Sequence, residues 1–227
     1  MAGGNRSDVV AGDRREAILD AAERLIRSKG YERMSVQEIQ DELGVSRGAI
    51  YHYFSSKDDL LVAVMERTSD RIMTVLAPIV EAPLPAAEKM QRIFREAGQW
   101  KTEQREFVRR LVDVWASDVN AVARVKLRRM THQRLLPLMR RIVRQGHDES
   151  VFTPTSPDHT ARVLADLLQA SGDAAAELLM AQDGRPTPIE QVRRTFDAYD
   201  EAVERILGLE PHTFTFIDDQ TLRAWFA

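Results

Sequence analysis

Residues 35–60 read Ser-Val-Gln-Glu-Ile-Gln-Asp-Glu-Leu-Gly-Val-Ser-Arg-Gly-Ala-Ile-Tyr-His-Tyr-Phe-Ser-Ser-Lys-Asp-Asp-Leu, and the reading of the chain turns on them. Ser35 with Glu38 three positions on is a capping box, so a helix starts near Val36. Ile39 and Leu43 lie four apart and make one apolar face. Gly44 stands where a helix ends on a left-handed residue, which costs glycine little. Ser46 can cap the next helix, which turns Ala49, Ile50 and Phe54 inward. Two short helices joined by a glycine-containing turn form a helix-turn-helix, whose second helix suits the DNA major groove.

Outward from this stretch the chain is helical. Ala17, Ile18, Ala21, Ala22, Leu25 and Ile26 make one stripe over 13–29, closed by Lys29 and Gly30. Residues 1–12 are small and polar and read as a flexible arm. Ser55 or Ser56 caps a long helix from Lys57 to about Pro78, suited to act as a rigid connector. Further helices are expected near 86–101, 103–116 and 121–146. Pro137 should kink the last of these and Gly146 end it, and Ser117 to Asn120 should interrupt before it. Ser156-Pro157-Asp158 opens a helix running to about Gln182, and Asp183 to Pro186 make a turn. Thr187 and Glu190 form a second capping box. Ile189, Val192, Phe196, Tyr199, Val203 and Ile206 then step by threes and fours, a seam for near-parallel helix packing. The tail, 211–227, is too apolar to stay in water and should dock. Thr213 to Ile217 alone alternates like a strand, and only briefly. The expected fold is all-α, with about nine helices. Its parts are an arm (1–12), a helix-turn-helix domain (13–56), a larger helical domain (57–210) and a docked tail (211–227).

Composition narrows the function. The chain has 227 residues, no cysteine and a net charge of −3. Disulfides, thiolate catalysis and cysteine-held zinc are excluded, and a reducing compartment, the cytoplasm, is expected. No apolar run is long enough to span a membrane. Residues 1–60 carry 9 basic and 11 acidic side chains, so a DNA reader here must place its cations locally. Eight cations and no acid lie between Arg124 and Arg144. They form either a solvated face balanced by the acidic C-terminal part, or a set from which one or two arginines hold an anionic ligand. His52, His132, His147, His159 and His212 show no metal-ligand spacing, and no phosphate loop or nucleophile motif is present. No catalytic residue, metal or cofactor is expected.

Residues 14–61 resemble the DNA-binding domain of TetR-family transcriptional regulators. The likeness rests on Ile18 to Ala22, Gly30, the Ser35 to Ile39 stretch and above all the run from Gly44 to Leu60. Gln40 departs from the family pattern, which favours alanine there, and should lie at an edge or slightly reset the angle between helices. The resemblance implies a homodimer with two reader helices in successive major grooves of a palindromic operator. It implies repression, relieved by a small-molecule effector. An activator or adaptor that binds a protein partner through its C-terminal part is the alternative. Carried over residue by residue, Ser46, Arg47 and Gly48 open the recognition helix, with Arg47 on a guanine edge and Gly48 allowing close approach. Tyr51 and His52 would meet phosphate or a thymine methyl. Tyr53 and Lys57 would hold phosphates, and Ser35 and Gln37 would anchor the first helix to the backbone. Effector-pocket candidates are Met65, Ile72, Trp100, Phe107, Leu111, Trp115, Met130 and Met139, large apolar residues of the central helices. Dimer-interface candidates are Leu164, Leu168, Ala175, Leu178, Val192, Phe196, Tyr199 and Val203.

Overall fold

The computed structural model describes residues 4–115, 121–181 and 188–226. Ten helices occur among them, and no strand: α1 (Gly4–Lys29), α2 (Val36–Leu43), α3 (Arg47–Tyr51), α4 (Lys57–Glu81), α5 (Ala86–Glu103), α6 (Arg105–Trp115), α7 (Ala121–Asp148), α8 (Pro157–Met180), α9 (Ile189–Leu207) and α10 (Asp219–Phe226). The chain divides into two compact units. One holds Met1–Thr68 and Glu106–Leu127, the other Ser69–Arg105 and Arg128–Ala227.

The core of the first unit is built from the apolar positions of its short helices. Ile18, Leu19, Ala22 and Ile26 of α1 meet Ile39 of α2, Ile50 of α3 and Phe54, all nearly inaccessible to water. Leu60, Leu61, Ala63 and Val64 of α4 fill the same core. So do Phe107, Leu111 and Val114 of α6. The helix-turn-helix part therefore does not stop at residue 56, because its apolar faces need the start of α4 and α6 to cover them. Residues 4–12, expected in a flexible arm, are helical instead. Helix α1 begins at Gly4. No proline interrupts 4–12, and adding residues to a nucleated helix costs far less than starting one.

In the second unit α8 packs on α9, and α9 and α5 both pack on α10. The seam read in α9 is real, but its partners lie in the same chain: Val192, Phe196 and Val203 are 0%, 3% and 1% exposed. Helix α7 continues through Pro137 to Asp148, so Gly146 does not end it. Gly146 is needed for another reason: a Cβ there would lie 2.0 Å from the buried Phe152 ring. Helix α5 follows Pro85 at its N-cap, which offers no side-chain cap. Glu149, from the loop after α7, supplies one by accepting from the Ala86 N–H at 2.9 Å.

The tail docks, as its apolar content requires, with Phe214, Phe216, Leu222, Trp225 and Phe226 buried. Thr213 to Ile217 is not a strand, because side chains take its backbone groups. Glu204 accepts from the Thr213 and Phe214 N–H groups at 2.8 and 3.0 Å, and Asp200 from that of Phe216 at 2.7 Å. Gln91 both donates to the Thr215 carbonyl and accepts from its N–H. The break at Ser117 to Asn120, the turn at Asp183 to Pro186 and the Thr187 cap lie outside the described residues.

Candidate nucleic-acid interface

Helices α2 and α3 are set by the caps that the sequence announces. The Ser35 hydroxyl accepts from the Glu38 N–H at 3.3 Å, and the Glu38 carboxylate accepts from the Ser35 N–H at 2.9 Å. Gly44 closes α2 at φ +62, in the left-handed region. Ser46 then caps α3 by accepting from the Ala49 N–H at 3.3 Å. Ile50 and Phe54 pin the inner face of α3 to the core. Its outer face is left to Arg47, Gly48 and Tyr51, all exposed.

Arg47 lies over the Tyr51 ring at 5.3 Å, and the His52 and Tyr53 rings meet edge to face at 5.0 Å. A Cβ on Gly48 would find nothing nearer than Ser46 Oγ at 4.0 Å, so no packing inside the protein requires a glycine. Ser35, Gln37, Ser46 and His52 are exposed too, while Tyr53 and Lys57 are half-buried. Tyr53 packs on the core. Gln37 donates to Asp41 at 2.8 Å. The Lys57 ammonium donates to the Glu32 carbonyl at 3.1 Å and sits 4.3 Å from the Tyr31 ring centre, which anchors it in the loop between α1 and α2. Gln40 is not at an edge: it is 7% exposed, inside the domain.

The acids of the domain are largely tied to its own cations. Glu38 bonds Lys29, and Glu42 bonds Arg24. The Lys29 hydrogen bond, then those from Ser35, hold the Glu38 carboxyl down at about 2. Tyr31 donates to Asp58, and burial, then that bond, push its phenol far above the ordinary value. Arg67 of α4 reaches three carboxylates on one face of α1: Glu16 at 3.2 Å, Asp20 at 2.7 Å and Glu23 at 2.6 Å. This clamp fixes α1 against α4 and was not read from the sequence. Its signal was present, an acidic stripe at helical spacing opposite the apolar one.

The effector-pocket candidates do not come together. Phe107 and Leu111 belong to the core of the first unit, where Arg27 lies 4.1 Å over the Phe107 ring. Met65 packs against the same core. Ile72, Trp100 and Met130 are half-buried in the second unit, and Met139 is fully buried there. The Trp115 side chain lies outside the described residues. None of the eight lines either surface cleft of about 260–280 Å³ found beside α7–α8 and beside α5 and the tail. Among the dimer candidates, Leu164, Val192, Phe196 and Val203 are spent on the chain's own core. Leu168, Ala175, Leu178 and Tyr199 stay half-buried.

The cations of α7 resolve mostly into the bland alternative. Arg128 and Arg144 pair with Asp173 and Asp158 of α8, and His132 Nδ1 lies 2.9 Å from Asp166 of the same helix. Arg134 and Arg141 pair with Asp70 and Glu81 of α4. Carboxylates of the neighbouring helices thus neutralise α7 from two sides.

Two short helices joined by a glycine turn, with the outer face of the second (α3) exposed, form a helix-turn-helix module of the DNA-reading class. Residues 18–64 match the family model for bacterial regulatory proteins of the tetR family. That stretch, about a fifth of the chain, is the part that is similar to the TetR family. It is 39% identical over 64 residues to the HTH-type transcriptional repressor AcnR of Corynebacterium diphtheriae, covering 28% of this chain and 34% of that one. It is 37% identical over 75 residues to the HTH-type transcriptional activator FasR of Mycolicibacterium smegmatis, covering 32% and 34%. The chain thus spans about a third of the length of these curated relatives. A TetR-family regulator from Pectobacterium atrosepticum shares the fold over 92% of this chain and all of its own, with a TM-score of 0.68 and 20% identity.

Proposed function

We propose that the protein is a sequence-specific DNA-binding transcriptional regulator, a repressor that acts as a homodimer on a palindromic operator and leaves it when a small molecule binds the second unit. The observation that carries this reading is the outer face of α3. Ser46 caps the helix, Ile50 pins it, and Arg47, Gly48 and Tyr51 face water with no packing task inside the domain. Arg47 reads a guanine edge with its fork. Tyr51 and His52 meet phosphate or a thymine methyl, and Ser46 helps fix the start of the helix. Lys57 and Tyr53 hold phosphates, with Lys57 kept in place by Tyr31 and Glu32. Ser35 and Gln37 anchor α2 to the backbone. The name of the AcnR relative, a repressor, supports the sign of regulation. That of the FasR relative supports the second reading, an activator built on the same domain.

A footprint of the full chain on DNA selected from a random pool tests the reading. A protected palindrome is expected, lost in Arg47→Ala while the dimer stays folded. Equal binding by Arg47→Ala would remove that residue from base reading, and no protected site at all would overturn the function. The dimer itself is assigned to the surface of α8 around Leu168, Ala175 and Leu178, with exposed Val163 and Met180 on the same helix. A sedimenting monomer at micromolar concentration would refute it.

A further inference from the structure

Among the described residues two side-chain donors are buried without a hydrogen-bond partner, Arg67 Nε and Arg134 Nη1. The first belongs to a guanidinium whose other nitrogens already hold three carboxylates. Arg134 is different. Its Nη2 pairs with Asp70 at 2.7 Å, but Nη1 is buried with nothing to donate to, on a side chain 27% exposed. A buried guanidinium donor left open is costly to fold, so it marks a place where an acceptor belongs. The surroundings suggest the rest of that molecule. Met130 and Leu138 lie one helical turn to either side of Arg134 on the same face of α7, and Met73 follows Asp70 by one turn of α4, all half-buried. Methionine is unbranched and gives way to an incoming apolar group at little cost. Met130 to Leu138 spans about 12 Å of helix, the length of an extended ten-carbon chain.

We propose that Arg134 is the polar anchor of an effector site in the second unit that takes a carboxylate with an apolar body. The ligand carboxylate accepts from Arg134 Nη1 and competes with Asp70 for the guanidinium, while its chain lies along Met130, Leu138 and Met73. This rests on the reading of the second unit as the effector-binding part and names the chemistry that part recognises.

The test is calorimetric titration of the full-length, DNA-free protein with decanoate, and with decan-1-ol as the control lacking the charge. Wild type should bind decanoate and should bind the alcohol at least about tenfold more weakly. Arg134→Gln should lose about tenfold or more in decanoate affinity, as for a charge-assisted hydrogen bond from a buried donor. Asp70→Asn keeps the arginine, removes its competitor and should bind decanoate several-fold more tightly. It carries the test if Arg134→Gln does not fold. A purely structural ion pair predicts the opposite for Asp70→Asn, unchanged or weaker binding, and that result overturns the proposal. So does wild type that ignores decanoate, or Arg134→Gln that binds it as wild type does. Since DNA is absent from the titration, such failures leave the operator footprint standing, whereas a missing footprint refutes the regulatory reading and not the site.

Discussion

At the scale of single residues, burial and charge decide what each group does. Asp200 is the clearest case. Burial raises its carboxyl to about 6, against the downward pull of the Phe216 N–H bond and with the help of the Asp197 and Glu204 charges. A carboxyl that holds its proton more tightly folded than unfolded contributes stability that is complete below the ordinary value of 3.8 and is lost as pH rises through about 6. Asp200→Asn keeps an oxygen to accept from Phe216 and sheds the charge. It should raise the melting temperature at pH 7–8, by an amount worth about 1 kcal/mol after allowing for solvent screening, and the gain should vanish near pH 4. Thermal melts across that range check it, and a gain independent of pH would refute the assignment. Gly146 gives a steric counterpart. Gly146→Ala should cost about 1–3 kcal/mol in denaturant unfolding, since a methyl 2.0 Å from the Phe152 ring forces the ring or α7 to move. Phe152→Leu in the same chain should recover part of that loss.

At the scale of elements, the local signals were legible and the long-range ones were not. Ser35 with Glu38, Gly44 and Ser46 specify α2, the turn and α3 from within a dozen neighbours, and the structure returns each of those caps. The α9 seam was equally legible as a seam. Which helix covers it was not, because periodicity says that a face is apolar and never what lies against it. Val192, Phe196 and Val203 therefore looked like a surface for a second copy and are core. Phe107 and Leu111 failed the same way: the chain between α4 and α6 had to be folded before α6 could be assigned to the reader's core. Gly146 looked like a helix stop because its Phe152 neighbour arrives only through the loop after α7. The tail follows from this view as well. Its docking uses buried Glu204 and the bond from Trp225 Nε1 to Thr102 at 3.0 Å. Trp225→Ala should cost about 3–5 kcal/mol in the stability of the second unit, followed by limited proteolysis at α10. Protection of α10 unchanged from wild type would mean that the tail is held elsewhere.

For the whole molecule, the charge count and the ion pairs bear on affinity together. The first 60 residues carry more acids than bases. Glu16, Asp20, Glu23, Glu38 and Glu42 are occupied by Arg67, Arg24 and Lys29. Arg47 and Lys57 are the cations that the proposed interface brings to the DNA. A dimer that brings two copies of each to the DNA, Arg47 on a base edge and Lys57 on phosphate, displaces counterions at both and should show a slope of log affinity against log salt of about −4, shallow for a specific regulator. Lys57→Ala should flatten it by about 2 without changing which sequence is selected. Titrations at several salt concentrations decide this, and a wild-type slope near −10 would show that other cations carry the contact.

Gly48 has a consequence for how such a protein changes its target. It sits on the outer face of α3, and a Cβ there would have only Ser46 Oγ, 4.0 Å away, beside it. On the proposed reading of α3, any residue placed there would be seen by DNA and by little else. Position 48 is therefore a site where operator preference can drift without a toll on folding, and lineages that retarget this reader should do so there before they touch Ile50 or Phe54. Gly48→Ser should melt as wild type does and yet select a different sequence from a random pool.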